Sequence, residues 1–229
     1  ILALDAVCRD LAAEIASLEH RRSNIPLHLQ ELRESLCREL AIPEEALPFA
    51  GELIEVAETE RAWEPAIERL LRNFAQSLLV PDAHYGSVSR YVDHTRLRGR
   101  LVYYQTGARE RAAARPASDS VAGKLLVKPD HSLRGWLDSR LAREFDHVCC
   151  DDLDAFRRQP RALTRAGQIK TGGTRHEKDD RHALDDRTRY VLGWRNEAKR
   201  LALKARLREQ QAEGETLLAR RSTTDADLA

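Results

Sequence analysis

The sequence predicts an α/β globule of two pseudo-repeated half-domains, flanked by an antiparallel coiled-coil stub. Apolar residues at heptad spacing open the chain, and a segment of strong helix formers lies near its end. Between them, two stretches each combine short apolar runs with an amphipathic helical pattern. Charged residues make up 33% of the 229 residues and the mean hydropathy is -0.56, so we expect part of the chain to be solvated helix.

Residues 1–23 are predicted to form the first arm of the coiled coil. The seam positions are separated alternately by four and three residues, which is heptad spacing. Pro26 lacks an amide hydrogen and disfavours helix at Ile25, so the arm should end or kink near Ser23-Asn24 and restart as a helix of the globule. The seam comprises Leu4, Cys8, Leu11, Ile15, Leu18, Arg22, Ile25, Leu29, Leu32 and Leu36, with Arg22 as its polar interruption.

Residues 194–221 are predicted to form the second arm. Leu203, Leu207 and Leu217 lie at compatible helical phase, whereas Gln210 and Gly214 weaken the seam. If the arms pair they must run antiparallel, because the chain leaves and returns through one globule. We expect a frayed tail at 222–229 and, since the chain starts inside a helical pattern without methionine, a fragment of a longer protein.

The first half-domain is predicted at 25–105, around a helix over 63–74. Its apolar residues recur at i, i+3, i+4, i+7, i+8 and i+11, and Pro65 is tolerated in a first helical turn. The apolar runs 53–56 and 77–80 indicate buried strands on either side, which gives a strand-helix-strand unit. The elements predicted next are a short helix over 82–92 and a strand over 100–104.

A linker at 106–120 and a second half-domain at 121–193 follow. The order of elements repeats that of the first half, with Trp136 on the second helix in the place of Trp63 on the first. Both tryptophans lie on apolar helix faces, so we expect them in the core. The predicted elements are a strand over 124–127, a helix capped by Ser132, a strand over 147–150, a short helix opened by Asp151-Asp152, and a turn at Gly167.

Several classes of protein are disfavoured by the motifs that the sequence lacks. It contains no Walker A motif, nucleophile elbow, HExxH motif or CxxC pair, so we expect no catalytic residue, metal or cofactor in this chain. The four cysteines (Cys8, Cys37, Cys149 and Cys150) are expected to be reduced thiols. With no apolar run approaching the roughly 18 residues of a membrane span, and no signal peptide, we expect a soluble, cytoplasmic protein without membrane contact.

A series of short motifs resembles one known family. In chain order these are 47–56 (LPFAGELIEV), the helix containing Trp63, 78–82 (LLVPD), 101–104 (LVYY), 162–173 (ALTRAGQIKTGG) and 175–181 (RHEKDDR). Together they resemble the hinge of SMC proteins, the long coiled-coil ATPases that act on chromosomes. The likeness covers roughly residues 25–200 and is greatest to the MukB/MksB/JetC group, above all to the JetC subunits of Wadjet plasmid-defence systems.

The resemblance implies a homodimerisation hinge rather than an enzyme. It implies that ATP and Mg²⁺ bind to head domains elsewhere in the parent protein, and that kleisin and nuclease subunits bind other parts of it. Plasmid defence and chromosome condensation, with a nucleoid-associated location, are both implied functions of the parent. In this interpretation, paired glycines permit close backbone approach at the half-domain or dimer boundary, and the expected interface residues are Gly167, Lys170, Gly172 and Gly173.

The net charge of +1 conceals an uneven distribution. Residues 39–82 carry ten acidic and three basic side chains, a balance of -7, whereas residues 156–200 carry thirteen basic and six acidic ones, a balance of +7. This asymmetry is compatible with a basic face that binds DNA phosphates without sequence preference, and equally with an ordinary solvated surface. The candidate DNA-binding residues are Arg157, Arg158, Arg161, Arg165, Lys170 and Arg175.

Two alternative functions remain open from the sequence. A metal-dependent nucleic-acid enzyme would use the cluster His176, Asp179, Asp180 and His182, because imidazole and carboxylate groups bind divalent metals. Interleaved Lys and Arg residues favour instead a charged loop whose acids and bases neutralise one another. The third possibility is a scaffold that makes no contact with DNA.

Overall fold

The computed structural model describes residues 2–107 and 115–227, which form two compact units. One unit contains Ser23–Asp186 together with Tyr190–Trp194, and we call it the globular unit. The other, the helical unit, contains the first and last helices and Arg187–Arg189. Residues 108–114 of the predicted linker lie outside the described residues.

The elements follow one another in the order that the sequence pattern predicts for most of the chain. The α-helices are Leu2–His20 (α1), Leu27–Leu40 (α2), Glu64–Ala75 (α3), Asp82–His94 (α4), Arg134–Glu144 (α5), Leu153–Arg158 (α6) and Glu197–Asp227 (α7). The strands are Ile54–Val56 (β1), Leu78–Val80 (β2), Tyr103–Gln105 (β3), Leu125–Val127 (β4), Val148–Cys150 (β5), Ala162–Thr164 (β6), Ile169–Thr171 (β7) and Arg175–Glu177 (β8). Short 3₁₀ helices include Ala50–Leu53, Glu58–Trp63 and Ala122–Lys124.

In the helical unit, α1 and α7 pack antiparallel, as predicted. The Asn196 side-chain amide, at the start of α7, donates to the Leu18 carbonyl at the end of α1 (2.8 Å). At the far end of the pair, Gly214 of α7 lies against Leu4 of α1. An apolar seam lies between the two helices and comprises Leu11, Ile15, Leu18, Leu203 and Leu207.

Two expectations for the second arm differ from the structure. Leu217 is 41% exposed and does not join the apolar seam, whose residues on α7 are Leu203 and Leu207. Helix α7 also continues to Asp227, whereas a frayed tail was expected from residue 222. Once a helix is nucleated, each further residue adds a backbone hydrogen bond, so propagation needs no tertiary contact.

The globular unit has a pseudo-two-fold axis through the antiparallel pair β1–β4. Glu55 lies opposite Leu126 at the centre of the pair. On one side of it the Ala57 amide donates to the Lys124 carbonyl (2.9 Å), and on the other the Lys128 amide donates to the Leu53 carbonyl (2.8 Å). The pseudo-two-fold axis relates these two hydrogen bonds to each other. The two half-domains therefore pair through equivalent strands, β1 in the first half and β4 in the second.

The remaining strands repeat the same relation within each half. In the first half β2 pairs parallel with β3, and in the second half β5 pairs parallel with β6. The Ala50 amide donates to the Ser77 carbonyl (3.0 Å), and in the matching position the Val121 amide donates to the His147 carbonyl (2.8 Å). The sequence prediction of two pseudo-repeated half-domains is therefore confirmed at the level of individual backbone hydrogen bonds.

Some local predictions need correction. The predicted strand-helix-strand unit does not form one sheet, because β1 pairs across the pseudo-axis with β4 whereas β2 pairs with β3. Ser132 does not cap α5; Leu133 holds that position, without a side-chain cap. The edge strand β8 (Arg175–Glu177) was not predicted, since its three residues are all exposed and carry no apolar signal.

Aromatic side chains from both halves meet in the core. The Phe74 ring lies 5.5 Å from that of Tyr104, 6.5 Å from that of Trp136 and 5.1 Å from that of Phe145, measured between centroids. Trp63 and Trp136 are 4% and 8% exposed, as expected for core residues. The halves therefore share one apolar core, which makes their separate folding unfavourable. The two tryptophans do not occupy equivalent positions, however, because the register that matches Ser77 with His147 places Ala66, not Trp63, at the position of Trp136.

A strap of extended chain, residues 190–193, packs along the first half. The Glu68 carboxylate of α3 is buried and accepts the amides of Val191 (2.9 Å) and Leu192 (3.1 Å). The Gly193 amide lies within hydrogen-bonding distance of the carbonyls of Gly51 (2.9 Å) and Ile54 (2.8 Å). A Cβ atom on Gly51 would lie 2.6 Å from the Val191 carbonyl oxygen, so only glycine admits the strap at this distance.

Replacing Glu68 by alanine should lower the free energy of unfolding by about 2–4 kcal/mol, because two buried strap amides lose their acceptor. The matched control is Asp138→Ala, which removes a carboxylate at the corresponding position of α5 whose side chain is 56% exposed. Its effect should stay within about 0.5 kcal/mol. Urea denaturation of both variants measures the difference, and equal losses would contradict the role given to Glu68.

His147 should make the stability depend on pH. Its side chain is 2% exposed, and burial, together with the nearby Arg161, lowers its pKa below the ordinary 6.5. Below pH 6.5 the unfolded chain binds a proton that the folded chain does not, so the free energy of unfolding should fall with decreasing pH, by at most about 1.4 kcal/mol per pH unit for one proton.

This dependence can be measured by urea denaturation between neutral pH and the folded-state pKa. In a His147→Gln variant the free energy of unfolding should depend less steeply on pH. Part of the dependence should remain because of His131, whose pKa is lowered by its own burial and by Lys128. An unchanged slope in His147→Gln would show that His147 does not carry the effect.

Candidate interaction site on the second half-domain

The candidate site is the outer part of the four-stranded sheet, which we call the hairpin face. The sheet order is β5-β6-β7-β8, so β8 (Arg175–Glu177) forms an edge. β7 and β8 form a hairpin in which Thr171 lies opposite Arg175. An exposed edge strand presents backbone donors and acceptors to a further strand, so this edge is suited to pairing with another chain.

The tip of the hairpin contains Gly172 and Gly173. Their φ angles are +64° and +80°, which glycine adopts without the steric cost that other residues incur. No heavy atom lies within 4 Å of a Cβ placed on either residue, so the space around the tip is open. These two of the predicted interface residues are placed where another backbone can approach closely.

The other two predicted interface residues lie inside the fold. A Cβ on Gly167 would lie 2.9 Å from Leu184 Cδ1, so this glycine serves internal packing in the turn between β6 and β7. Lys170 is 6% exposed, and its Nζ donates to the Arg157 carbonyl (2.7 Å). The ammonium group of Lys170 is therefore not exposed to solvent, because it satisfies a backbone carbonyl inside the fold.

The predicted DNA-binding arginines differ in whether an acidic side chain pairs with their guanidinium group. Arg157 pairs with Asp154 (2.9 Å), Arg165 with Asp151 (2.5 Å) and Arg175 with Glu177. Each acidic partner offsets part of the positive charge that was counted from the sequence.

Two predicted DNA-binding arginines have no acidic partner among these pairs. Arg161 is half-buried and donates to the Arg143 carbonyl, which holds its guanidinium group against the chain. Arg158, the last residue of α6, is exposed next to Arg157. The pair Arg157-Arg158 is therefore the most accessible part of the predicted basic face.

The charged segment 175–182 is organised by ion pairs. Both carboxylate oxygens of Asp179 accept from Arg181 (2.8 and 2.7 Å), and these hydrogen bonds lower the pKa of Asp179. Asp180 lies 3.1 Å from Lys178. The acidic side chains that a metal site would require are thus engaged by cations of the same segment.

The predicted metal cluster is not brought together. His176 Nδ1 lies 3.0 Å from the Thr174 carbonyl oxygen, and the His176 ring contacts Phe156 (5.9 Å between centroids). Across the ranges 2–107 and 115–227, no group of three His, Cys, Asp or Glu side chains is placed to hold a metal ion. The geometry therefore gives the metal-dependent enzyme no support.

Arg69 of α3 is a positioning residue that the sequence analysis missed. Its guanidinium group donates to the His182 carbonyl (3.0 Å) and lies 3.7 Å from the Asp180 carboxylate. It thereby connects the first half-domain to the charged segment. Its place on an amphipathic helix gave no signal for this role, because the partners are far away in sequence.

Burial raises the thiol pKa of the three cysteines of the globular unit, Cys37, Cys149 and Cys150. All four thiols are free, and Cys37 and Cys150 are buried. Burial raises the pKa of the Cys149 thiol to about 12. A thiol protonated at neutral pH is a poor nucleophile and metal ligand.

None of the helices in the described part of the chain combines the length and the apolar character needed to cross a membrane.

Comparisons with known proteins identify the fold. Scanned against protein-family models the chain matches none, and a search of curated proteins also gives no match. It is similar to the SMC hinge domain of Geobacillus stearothermophilus, solved as an asymmetric dimer, with a TM-score of 0.52 and 17% identity over 98% of this chain and 92% of that one. It is also similar to the SMC hinge domain of Pyrococcus furiosus, with a TM-score of 0.50 and 20% identity over 75% of this chain and 87% of that one.

A third similar structure is the folded elbow of cohesin, with a TM-score of 0.52 and 15% identity over 98% of this chain and 32% of that chain. At these identities the likeness shows the fold alone. The predicted α/β, SMC-hinge-like fold is confirmed.

Proposed function

We propose that this chain is the dimerisation hinge of an SMC-type protein. The observation that carries the proposal is the fold likeness to an SMC hinge domain over 98% of the chain, with a solved structure of that domain being a dimer. The exposed edge strand β8 and the open glycine tip support it independently, because they are the features through which two copies can associate.

The dimer contact would use backbone groups rather than a large apolar patch. β8 presents an edge strand, and Gly172 and Gly173 carry no side chain to hold a second backbone away. In a two-fold symmetric dimer both copies use the same surface. Each copy would therefore contribute its own glycine tip and its own β8 edge. In the parent protein this contact would join two arms, each begun by the antiparallel pair α1–α7.

We further propose that the parent belongs to the MukB/MksB/JetC group. The order of the motifs along residues 25–200 supports this, and within the group it favours JetC of the Wadjet plasmid-defence systems. ATP and Mg²⁺ would then bind head domains, and kleisin and nuclease subunits would bind other parts of the parent. The chain described here would be neither ATPase nor nuclease, and would act in the cytoplasm at the nucleoid.

The hinge would also contact DNA without sequence preference, through the exposed arginines at the end of α6. Arg157 and Arg158 are adjacent and exposed, and Arg175 on β8 adds a further exposed cation. Phosphate neutralisation depends on accessible charge more than on a particular fold. The acidic partners of Arg157 and Arg175 predict weak binding, with a salt dependence that reflects only a few phosphate contacts.

Light scattering over a concentration series should give a mass twice that of the 26.0 kDa chain. The double variant Gly172→Asn, Gly173→Asn should weaken the dimer at least about tenfold, because its side chains enter the space needed by the second backbone. Asn tolerates positive φ, so the hairpin should still fold.

The matched control for the dimer is Gly86→Asn, which adds the same side chain in open space on α4. A wild-type monomer at every concentration would overturn the hinge proposal. A dimer unaffected by the tip variant would instead overturn the assignment of the tip as the interface.

The DNA proposal is tested by Arg157→Glu, Arg158→Glu in fluorescence anisotropy with duplex DNA. Losing two phosphate contacts should reduce the slope of log K against log salt by about 2 and raise Kd more than about tenfold. Arg96→Glu, Arg100→Glu is the control, since it changes the net charge equally at exposed positions of the first half-domain. Equal weakening by both variants would contradict a local DNA-binding face, and absence of binding by the wild type would support a scaffold.

A further inference from the structure

The second half-domain carries an open groove beside α5. It has a volume of about 640 Å³ and runs between this helix and the segment that leads into β4. The residues that matter for its chemistry are Ala122, Leu125, Arg134, Gly135 and Asp138. Nothing in the functions described above uses this groove.

The groove corresponds by pseudo-symmetry to the place of the strap in the first half. The matched amides of Ala50 and Val121, which bond to Ser77 and His147, fix the equivalence of the segments before β1 and β4. In this register, Ala122 and Leu125 of the second half-domain are equivalent to Gly51 and Ile54 of the first. The strap amide of Gly193 binds the carbonyls of those two first-half residues.

The helices obey the same equivalence. Glu68 of α3 lies nine residues before Ser77, and Asp138 of α5 lies nine residues before His147. The two carboxylates therefore occupy equivalent positions on their helices. The neighbouring positions agree, because Ile67 and Leu137 are both buried there. The carboxylate that accepts two strap amides in the first half thus has a counterpart at the open groove of the second.

We propose that this groove binds an extended peptide segment of a partner protein. Two consecutive peptide amides would donate to the Asp138 carboxylate, and a third would donate to the carbonyls of Ala122 and Leu125. This is the hydrogen-bonding scheme of the strap, presented by a second chain. The strap of a second copy cannot supply the segment, since Val191 and Leu192 are 1% and 6% exposed where they pack on the first half-domain of their own chain.

Asp138 and Leu125, two of the groups needed for this binding, line the groove and are not buried. Asp138 is 56% exposed, and Arg134, one helical turn away, lies 3.7 Å from its carboxylate, which is a weak surface pair. The amide bonds of Ala57 to Lys124 and of Lys128 to Leu53 flank Leu125 in the β1–β4 ladder. Leu125 is therefore at a non-hydrogen-bonded position, and its carbonyl faces away from β1.

Differences between the halves specify the peptide. Ala122 replaces Gly51, so the bound backbone must lie slightly farther from this segment than the strap does. Arg115 and Arg134 are exposed at the groove, and among the described residues that line it only Asp138 opposes their charge. By analogy with the strap, the centre of the preferred ligand is a short apolar segment with free amides, followed by glycine. The two arginines favour acidic residues on either side of that segment.

The test uses a fluorescein-labelled peptide Glu-Tyr-Val-Leu-Gly-Glu, titrated with the full chain and followed by anisotropy. The sequence takes its centre from the strap and adds acidic flanks. We expect saturable binding with Kd below about 1 mM, and at least about tenfold weaker binding of Glu-Tyr-Pro-Pro-Gly-Glu, which lacks the two amides for Asp138.

Two variants locate the binding. Asp138→Ala removes the acceptor, and Gly135→Leu fills the groove; no heavy atom lies within 4 Å of a Cβ on Gly135, so the helix accommodates leucine. Each should weaken binding of the first peptide at least about tenfold, with the thermal unfolding midpoint retained. The matched control Gly86→Leu adds the same side chain at an equally open helical glycine of α4 and should bind normally.

The proposal is overturned if the first peptide does not bind up to about 1 mM. It is also overturned if the proline peptide binds equally well, because the amides would then carry no recognition. Binding that Asp138→Ala and Gly135→Leu leave unchanged would place the peptide elsewhere and overturn the assignment of the groove.

Discussion

The antiparallel pairing of β1 with β4 is the constraint on which the globular unit depends. Each strand has three residues, and neither finds a partner strand in its own half-domain. Isolated strands of this length are not stable, so each half needs the other to satisfy its backbone groups. The pairing also brings α3 and α5 to a common core, where Phe74 and Trp136 stack. One backbone contact therefore sets both the symmetry and the single core.

The functional potential of the globular unit lies where this symmetry is broken. The second half extends its parallel pair by the β7–β8 hairpin, which creates an exposed edge and a glycine tip. The first half instead receives the strap on Gly51 and Glu68, while the corresponding groove of the second half stays open. The shared framework supplies stability, and the departures from it are the surfaces that we propose for binding other chains.

The ion pairs within the basic segment decide how much of its positive charge is exposed to other molecules. The basic excess in 156–200 suggests a broad positive face, but Lys170 is buried and Arg157, Arg165 and Arg175 each contact a carboxylate. Surface pairs of this kind contribute little to stability, yet they reduce the field that a phosphate backbone would experience. A count of charges along the chain therefore overstates the positive charge that is exposed and unpaired by a carboxylate.

Periodicity and apolar runs are local properties of the chain, so they are enough to predict most of the element order, the antiparallel arms, the pseudo-repeat and the burial of Trp63 and Trp136. The pairing of β1 with β4, the buried position of Lys170, and the binding of the strap by Glu68 rather than Asp138 depend on contacts between distant segments. The two acidic residues occupy equivalent helical positions with similar chemistry. Only the path of a segment more than a hundred residues away along the chain distinguishes them, and no local pattern encodes that path.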